Sequence, residues 1–184
     1  QVNTQLREKA LETRDQILIN GDSETAADTN INLIDGTPTS TGLGQNYYLV
    51  SDGFRKLALV TAPAASVASA VDAGAEFAFA DVRSLKRAMD GERRSHIQQR
   101  GLYIVDPDTY EAMLDFPEWR TDDVYRFGGT ATTGVLPVFQ GTEVFNSGFV
   151  PMSNATGNVS ATASNNTRGT ALLVYAPYWG VAYK

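Results

Sequence analysis

The sequence predicts a mixed α+β fold, because helical and strand patterns occur in turn along its 184 residues. Apolar residues recur at steps of three and four over Val2–Ile19, which predicts a long first helix. The same spacing predicts a second helix over Asp81–Asp90. Short apolar runs at Leu102–Val105 and Ala171–Tyr175 are typical of buried strands.

The predicted first helix has a thin apolar stripe and many charged side chains. Such a helix is poorly buried by its own domain, so it either lies exposed on a sheet or contacts a neighbouring chain. Gly21 follows its last turn and is predicted to end it in the left-handed conformation.

Capping residues set the limits of the two later helices. Asp81 is predicted to be the N-cap of the second helix, and Gly91 is predicted to end it. Asp106 and Pro107 follow the strand at Leu102–Val105 and are typical of an N-cap and a first helical residue. This short helix is expected to end near Phe116, because a residue before proline disfavours helical angles.

The rest of the chain is predicted to form short strands and loops, with one further short helix. A short helix is predicted over Ser51–Lys56. Met152–Arg168 is rich in Ser, Thr, Asn, Ala and Gly, and is predicted to be a long loop or a mobile hairpin with almost nothing to bury. Further predicted strands are Tyr47–Val50, Leu57–Thr61, Val135–Leu136, Val138–Phe139, Glu143–Phe145 and Val181–Tyr183.

Composition excludes several kinds of site. The chain has 15 basic and 21 acidic residues, a net charge of −6, which argues against general nucleic-acid binding. The absence of cysteine excludes disulfides and thiolate chemistry, and a single histidine, His96, excludes a multi-histidine zinc site. No apolar run approaches the ~18–20 residues needed to span a bilayer.

Neither group of oxygen ligands predicts a metal or catalytic site. Asp28–Asn32 has the alternation of a calcium loop, but Leu33 and Thr39 replace its glycine and glutamate, so an Asx-rich turn is expected. The carboxylates between Asp106 and Asp123 are interpreted as helix caps and a solvated rim. We therefore predict no catalytic residue, metal or cofactor; a hydrolase based on His96 is the weakest alternative.

A basic cluster follows the second predicted helix. It consists of Arg93, Arg94, His96 and Arg100. This cluster has three interpretations. It could contact phosphate or nucleic acid, it could be an exposed loop without a binding role, or it could pair with acidic residues of another subunit. The net negative charge favours pairing with another subunit, at Asp122 or Asp123.

Several segments resemble, in collinear order, the major capsid proteins of tailed bacteriophages with the Hong Kong 97-type fold. They are Glu12–Asp22 (ETRDQILINGD), Asn32–Gly36 (NLIDG), Asp52–Leu57 (DGFRKL), Asp81–Asp90, Leu102–Leu114 (LYIVDPDTYEAML), Gly134–Pro151 (GVLPVFQGTEVFNSGFVP) and Ala171–Tyr183. The first of these is similar to the end of the family's spine helix. The family's N-terminal arm and extended loop normally precede that helix, and this chain is expected to lack them.

The resemblance implies three regions and a structural role. Residues 1–107 would hold the spine helix and peripheral-domain elements, residues 108–169 mainly the axial domain, and residues 170–184 the closing strands. The protein would not be an enzyme. It would assemble in the host cytoplasm into hexamers and pentamers of the virion's icosahedral shell, enclosing DNA without sequence-specific contact. Scaffolding, portal or decoration proteins would be its other partners, and no membrane is involved.

The expected interface residues are of two kinds. The predicted ion-pairing residues are Arg7, Arg14, Arg93, Arg94, Glu118, Arg120, Asp122 and Asp123. Trp119 and Trp179 are predicted to be apolar anchors. A different class of function remains open: a small β-rich binding or decoration module of a phage particle. Low helix content and monomeric behaviour would favour that module, because the shell subunit requires at least three helices.

Overall fold

A computed structural model describes the chain in segments: residues 2–26, 28–33, 46–59, 70–71, 73–74, 77–117, 138–139 and 141–178. These segments contain five α-helices and a four-stranded mixed sheet, which confirms the α+β character. The predicted strands at Val135–Leu136 and Val181–Tyr183 lie outside the described residues.

The chain divides into two compact units. Unit 1 comprises Gln1–Ala68 and Phe149–Thr170, and unit 2 comprises Ser69–Gly148 and Ala171–Lys184. Each unit is therefore built from two segments that are distant in sequence. The peripheral and axial domains implied by the resemblance, with boundaries after residues 107 and 169, stay a prediction.

The regular secondary structure described in unit 1 is helical. Helix α1 (Val2–Asn20) confirms the first predicted helix, and α2 (Phe54–Leu59) follows a 3₁₀ turn at Asn46–Val50. The predicted strands at Tyr47–Val50 and Leu57–Thr61 are therefore wrong wherever they are described. Their apolar side chains pack in helical turns, which periodicity cannot distinguish from strands in such short runs.

Gly21 has a different role from the one predicted. Its φ angle is not positive, so it does not end α1 in the left-handed conformation. Instead the backbone crosses closely here: a Cβ atom on Gly21 would lie 2.6 Å from the Ile17 carbonyl oxygen and would overlap that of Ser51. The Gly53 N–H donates to the Gly21 carbonyl at 2.8 Å. Gly21 is required because the neighbouring backbone oxygens leave no room for a side chain.

The polar tract at Met152–Arg168 is more ordered than expected. It is irregular apart from one 3₁₀ turn, as predicted, but Ser153 and Val159 are buried. Ser153 and Arg168 exchange two backbone hydrogen bonds of 2.8 Å, and the Val159 N–H donates to the Ile31 carbonyl at 2.7 Å. The prediction that this segment has almost nothing to bury is therefore wrong, because long-range backbone pairing folds it onto unit 1.

Unit 2 is built around the sheet, whose strand order is β2-β3-β1-β4. The strands are β1 (Gly101–Val105), β2 (Val138–Phe139), β3 (Thr142–Asn146) and β4 (Ala171–Tyr175). β1 pairs with β3 in parallel and with β4 in antiparallel orientation. The four strands predicted at these places are confirmed.

The helices of unit 2 begin at residues that differ in part from the prediction. They are α3 (Phe79–Ala88), α4 (Gly91–Arg100) and α5 (Pro107–Leu114). Asp81 is the third residue of α3, where its carboxylate accepts from the Ala78 N–H at 2.8 Å. Gly91 begins α4 and does not end α3, because the Asp90 side chain caps the new helix by accepting from the Arg93 N–H at 2.9 Å.

The strand–proline–helix unit is confirmed. Asp106 is 1% exposed, and one of its carboxylate oxygens accepts from the N–H groups of Asp108 and Thr109, both at 3.0 Å. The other oxygen accepts from the Thr109 hydroxyl at 2.6 Å. These bonds satisfy the first amides of α5, where Pro107 has no N–H to satisfy.

The core of unit 2 lies between the sheet and helices α3 and α5. Its fully buried members are Val82, Tyr103, Val105, Met113, Phe116 and Val144. The rings of Phe79 and Phe116 meet edge to face at 6.5 Å, which joins α3 to the end of α5. These contacts place α3 and α5 against the same core, with their opposite sides facing solvent.

Candidate functional site

Helix α1 is exposed over most of its length. Residues 2–12 are all exposed, and the two apolar side chains Val2 and Leu6 are 76% and 70% exposed. Its buried residues are Ile19 and Asn20, at the last turn. Val2 and Leu6 lie four positions apart, so they share one face. Two apolar side chains on one side of α1 are therefore left exposed in the single chain.

A cluster of polar side chains holds the buried end of α1, and we call it the buried polar cluster. It consists of Asn20, Asp22, Asn30, Asn32, Arg55 and Lys56, each no more than 7% exposed. Buried polar groups are stable only when they are hydrogen-bonded, and buried charges only when paired. The partners of each member therefore decide what the cluster does.

Arg55 is the centre of this cluster. It is 1% exposed, and one terminal nitrogen donates to the side-chain oxygens of Asn20 and Asn32 at 3.1 and 3.0 Å. The other donates to the Gly157 carbonyl at 3.1 Å. Its Nε has no partner among the described residues. Burial lowers the pKa of Arg55 to about 10, against the opposing influence of Asp22 and Tyr48, so the side chain stays charged at neutral pH.

Lys56 and Asp22 form the ionic part of the cluster. Lys56 Nζ lies 2.9 Å from the buried Asp22 carboxylate and donates to the Thr29 carbonyl at 3.0 Å. The same carboxylate accepts from the N–H groups of Ile31 at 2.7 Å and Glu24 at 3.0 Å. One carboxylate thus holds two backbone amides of the described loop after α1, together with Lys56.

The asparagines complete the cluster by bonding the backbone. Asn20 donates to the Phe149 carbonyl at 2.7 Å, and Asn32 donates to the Asn20 carbonyl at 2.7 Å. The Asn32 N–H donates to the Asn30 side chain at 2.8 Å, which is the Asx-type bond predicted for this turn. The cluster joins three chain segments and fixes the last turn of α1. Its chemistry is that of a support.

The predicted interface residues of unit 1 lie on α1. Arg7 is exposed. Arg14 bonds its neighbour Asp15 through Nε at 3.2 Å and a terminal nitrogen at 3.1 Å, with both side chains about half exposed. Seven positions separate the two arginines, so they share a face of the helix.

The predicted interface residues of unit 2 that are described lie on α4, and the interpretation as an exposed loop is wrong. Arg93 forms an ion pair with Asp90, which the Asp90 cap of α4 brings close. Arg94 is exposed and has no ion pair with any described residue. His96 is also exposed on α4, and no described serine or carboxylate forms a hydrogen bond with its ring. The geometry therefore gives His96 no catalytic partner within the described chain.

The other predicted interface residues, Glu118, Trp119, Arg120, Asp122, Asp123 and Trp179, lie outside the described residues. Within the described segments, no group of three or more His, Asp and Glu side chains is arranged to hold a metal ion. No helix in those segments is long and apolar enough to span a membrane.

The buried polar cluster is the feature that sequence reasoning missed. Taken one by one, the sequence patterns around its members predict only a helix end, an Asx turn and a short helix. One signal was available: polar residues alternate with an apolar or glycine residue at Asn20–Asp22 and again at Asn30–Asn32. Two such alternations, together with the adjacent basic residues Arg55 and Lys56, form the sequence pattern that could have predicted a buried polar cluster.

An open depression on the polar tract offers no second candidate site. It is lined by Asn154, Ala155, Thr156, Ser160, Ser164, Asn165 and Thr167. These small polar groups include no aromatic ring on which a sugar or base could stack, and no charged group. Comparisons with protein-family models, with curated proteins and with solved structures found no match to this chain.

Proposed function

We propose that this protein is a shell subunit, the major capsid protein of a tailed bacteriophage with the Hong Kong 97-type fold. It acts by repeated self-association into hexamers and pentamers, and it encloses the genome without catalysis. The observation that carries this proposal is α1, a long helix fixed at one end and exposed over residues 2–12. A helix whose apolar face is left uncovered is stabilised by a neighbouring chain.

The buried polar cluster supports the same proposal. Three of the segments that resemble the capsid family, ETRDQILINGD, NLIDG and DGFRKL, supply Asn20, Asp22, Asn32, Arg55 and Lys56. Their side chains bond one another across up to 35 positions of sequence. Their co-occurrence therefore has a structural reason, since together they fix the base of the proposed spine helix.

The charged helices supply the proposed contacts between copies. Arg93 and Arg94 of one subunit are proposed to meet acidic residues such as Asp122 and Asp123 of the next. Exposed ion pairs contribute only ~0–1 kcal/mol each, but a closed shell repeats them many times. Such contacts join different surfaces of identical chains, which is the arrangement that forms rings. The virion is accordingly the proposed location.

Sedimentation velocity over a concentration series tests this proposal. We expect the wild-type chain to form large species as its concentration rises, because α1 and α4 find partners. The double variant Arg93→Glu/Arg94→Glu should remain small while keeping its circular dichroism spectrum, and the charge-conserving Arg93→Lys/Arg94→Lys should assemble. A wild-type chain that stays monomeric throughout would contradict the proposal.

The alternative is a small β-rich decoration or binding module. The described residues include five α-helices against four short strands, which favours the shell subunit. The same sedimentation series separates the two functions, since a decoration module is expected to be monomeric or to form one small, closed oligomer.

A further inference from the structure

Two helices of unit 2 carry opposite charges on their solvent sides. Both α3 and α5 pack against the core of the sheet, where Val82 of α3 and Met113 of α5 are each 1% exposed. Their remaining faces are directed to solvent. Sequence-based prediction assigned neither face to an interface.

The basic face belongs to α3. Arg83 and Arg87 are four positions apart, so they share one side of the helix, and both are exposed. Arg83 lies over the Phe79 ring, with its guanidinium carbon 4.8 Å from the ring centre, which limits its freedom. Neither arginine forms an ion pair with a described residue.

The acidic face belongs to α5. Asp108, Glu111 and Asp115 are all exposed, at spacings of three and four positions, which places them on one side. Thr109 and Met113 occupy the buried side. Asp108 and Glu111 form no ion pair with a described residue. Arg83 and Arg87 of α3 and Asp108 and Glu111 of α5 belong to the same unit, yet none of these four side chains forms an ion pair with a described residue.

We propose that the basic face of α3 in one copy of this chain docks on the acidic face of α5 in a second copy. The spacings are similar, since Arg83 and Arg87 are about 6 Å apart along their helix and Asp108 and Glu111 about 4.5 Å apart along theirs, and the long arginine side chains can span the difference of about 1.5 Å. Each copy carries both faces, so the contact runs head to tail and can continue around a ring. This inference rests on the proposed function and specifies one of its contacts.

A second copy fits this basic face better than nucleic acid does. Between Phe79 and Arg100 there are six basic and three acidic residues, whereas the whole chain has a net charge of −6. Phosphate backbones bind surfaces on which several Lys and Arg side chains are clustered without interspersed acids. The acidic partner that the molecule itself supplies, α5, has the complementary charge at a similar spacing.

Reciprocal charge reversal tests the contact. The variants Arg83→Glu/Arg87→Glu and Asp108→Lys/Glu111→Lys each leave a copy with two faces of like charge. We expect each alone to self-associate about tenfold more weakly than the wild-type chain, measured by sedimentation. An equimolar mixture should recover the wild-type dissociation constant, because every contact in an alternating array again joins opposite charges. Circular dichroism and thermal melting verify that each variant is folded.

The outcomes separate this inference from the proposed function. If the wild-type chain self-associates and the reversed chains do so equally well, or if the mixture fails to recover, the α3–α5 contact is wrong and the shell proposal stands. A monomeric wild-type chain overturns both. If Arg83→Glu/Arg87→Glu assembles normally but loses binding to random-sequence duplex DNA, the basic face serves nucleic acid and the inference is overturned. Charge-conserving Arg83→Lys/Arg87→Lys is the matched control.

Discussion

Replacing Arg55 by methionine removes the centre of the buried polar cluster while keeping a long unbranched side chain. The substitution leaves the side-chain oxygens of Asn20 and Asn32 and the Gly157 carbonyl without their guanidinium donors. Asn20 and Asn32 are both 0% exposed, whereas Gly157 is only partly buried. Water therefore cannot replace the donors to the two asparagines without opening unit 1.

The size of the effect follows from two opposing contributions. Each buried acceptor that loses its donor costs ~1–3 kcal/mol, so the side-chain oxygens of Asn20 and Asn32 together represent a penalty of about 2–6 kcal/mol. Removing the guanidinium also removes the cost of burying its charge, which offsets part of that penalty. We expect a net loss of about 2–4 kcal/mol in the free energy of unfolding, because the unsatisfied asparagine oxygens cost more than the removal of the buried charge gains.

Urea unfolding of dilute protein, followed by far-ultraviolet circular dichroism, measures this loss. Hydrogen exchange at the last turn of α1 then shows whether the effect lies in unit 1, since Asn20 bonds directly to Arg55. Arg7→Met is the matched control: Arg7 is exposed on α1, and we expect a change within about 0.5 kcal/mol. An Arg55→Met protein within about 1 kcal/mol of wild type would refute the structural role of the cluster.

Three further predictions concern α1, its end and the loop beside it. Gly21→Ala should lower the free energy of unfolding by about 1–3 kcal/mol in urea, because its Cβ would overlap backbone oxygens. Gly91→Ala, whose Cβ would meet nothing within 4 Å, should be neutral or stabilising. Equal effects of the two substitutions would contradict the close backbone approach at Gly21. Leu6→Glu should leave the free energy of unfolding within about 0.5 kcal/mol of wild type but weaken self-association by sedimentation; unchanged association would exclude this face. Hydrogen bonds from the N–H and hydroxyl of Ser23 hold the pKa of Asp52 below its usual value. The ionised Asp52 carboxylate therefore stabilises the folded protein above about pH 4, and this effect is lost as the pH falls through the pKa of Asp52 in the folded state. The difference in free energy of unfolding between wild type and Asp52→Asn should accordingly shrink in acid. A difference that does not change with pH would contradict this role of Asp52.

Local signals predicted those elements whose residues interact with near neighbours. The N-cap at Asp106 bonds amides two and three positions later, so the start of α5 is encoded within four residues. The first helix likewise follows from spacing along one segment. At Asp90–Gly91 two local signals conflicted: glycine suggests a helix end, but an aspartate before it caps a new helix, and the structure follows the aspartate.

The buried polar cluster was beyond such reasoning because its bonds join distant segments. Asn20 bonds a carbonyl 129 positions away, and Arg55 bonds one 102 positions away. No local pattern states which amides will meet a buried guanidinium. The order of the Met152–Arg168 tract has the same origin, since its Val159 pairs with the backbone of Ile31. The four described residues of the predicted interface are Arg7 and Arg14 on α1 and Arg93 and Arg94 on α4. Their contacts with other copies stay a prediction.

We propose that this protein functions by assembling with copies of itself. Electron microscopy of the purified protein over a range of concentrations would show the assemblies themselves. We expect closed shells, or rings with sixfold and fivefold symmetry. A uniform field of single particles of monomer size, at every concentration, would contradict it.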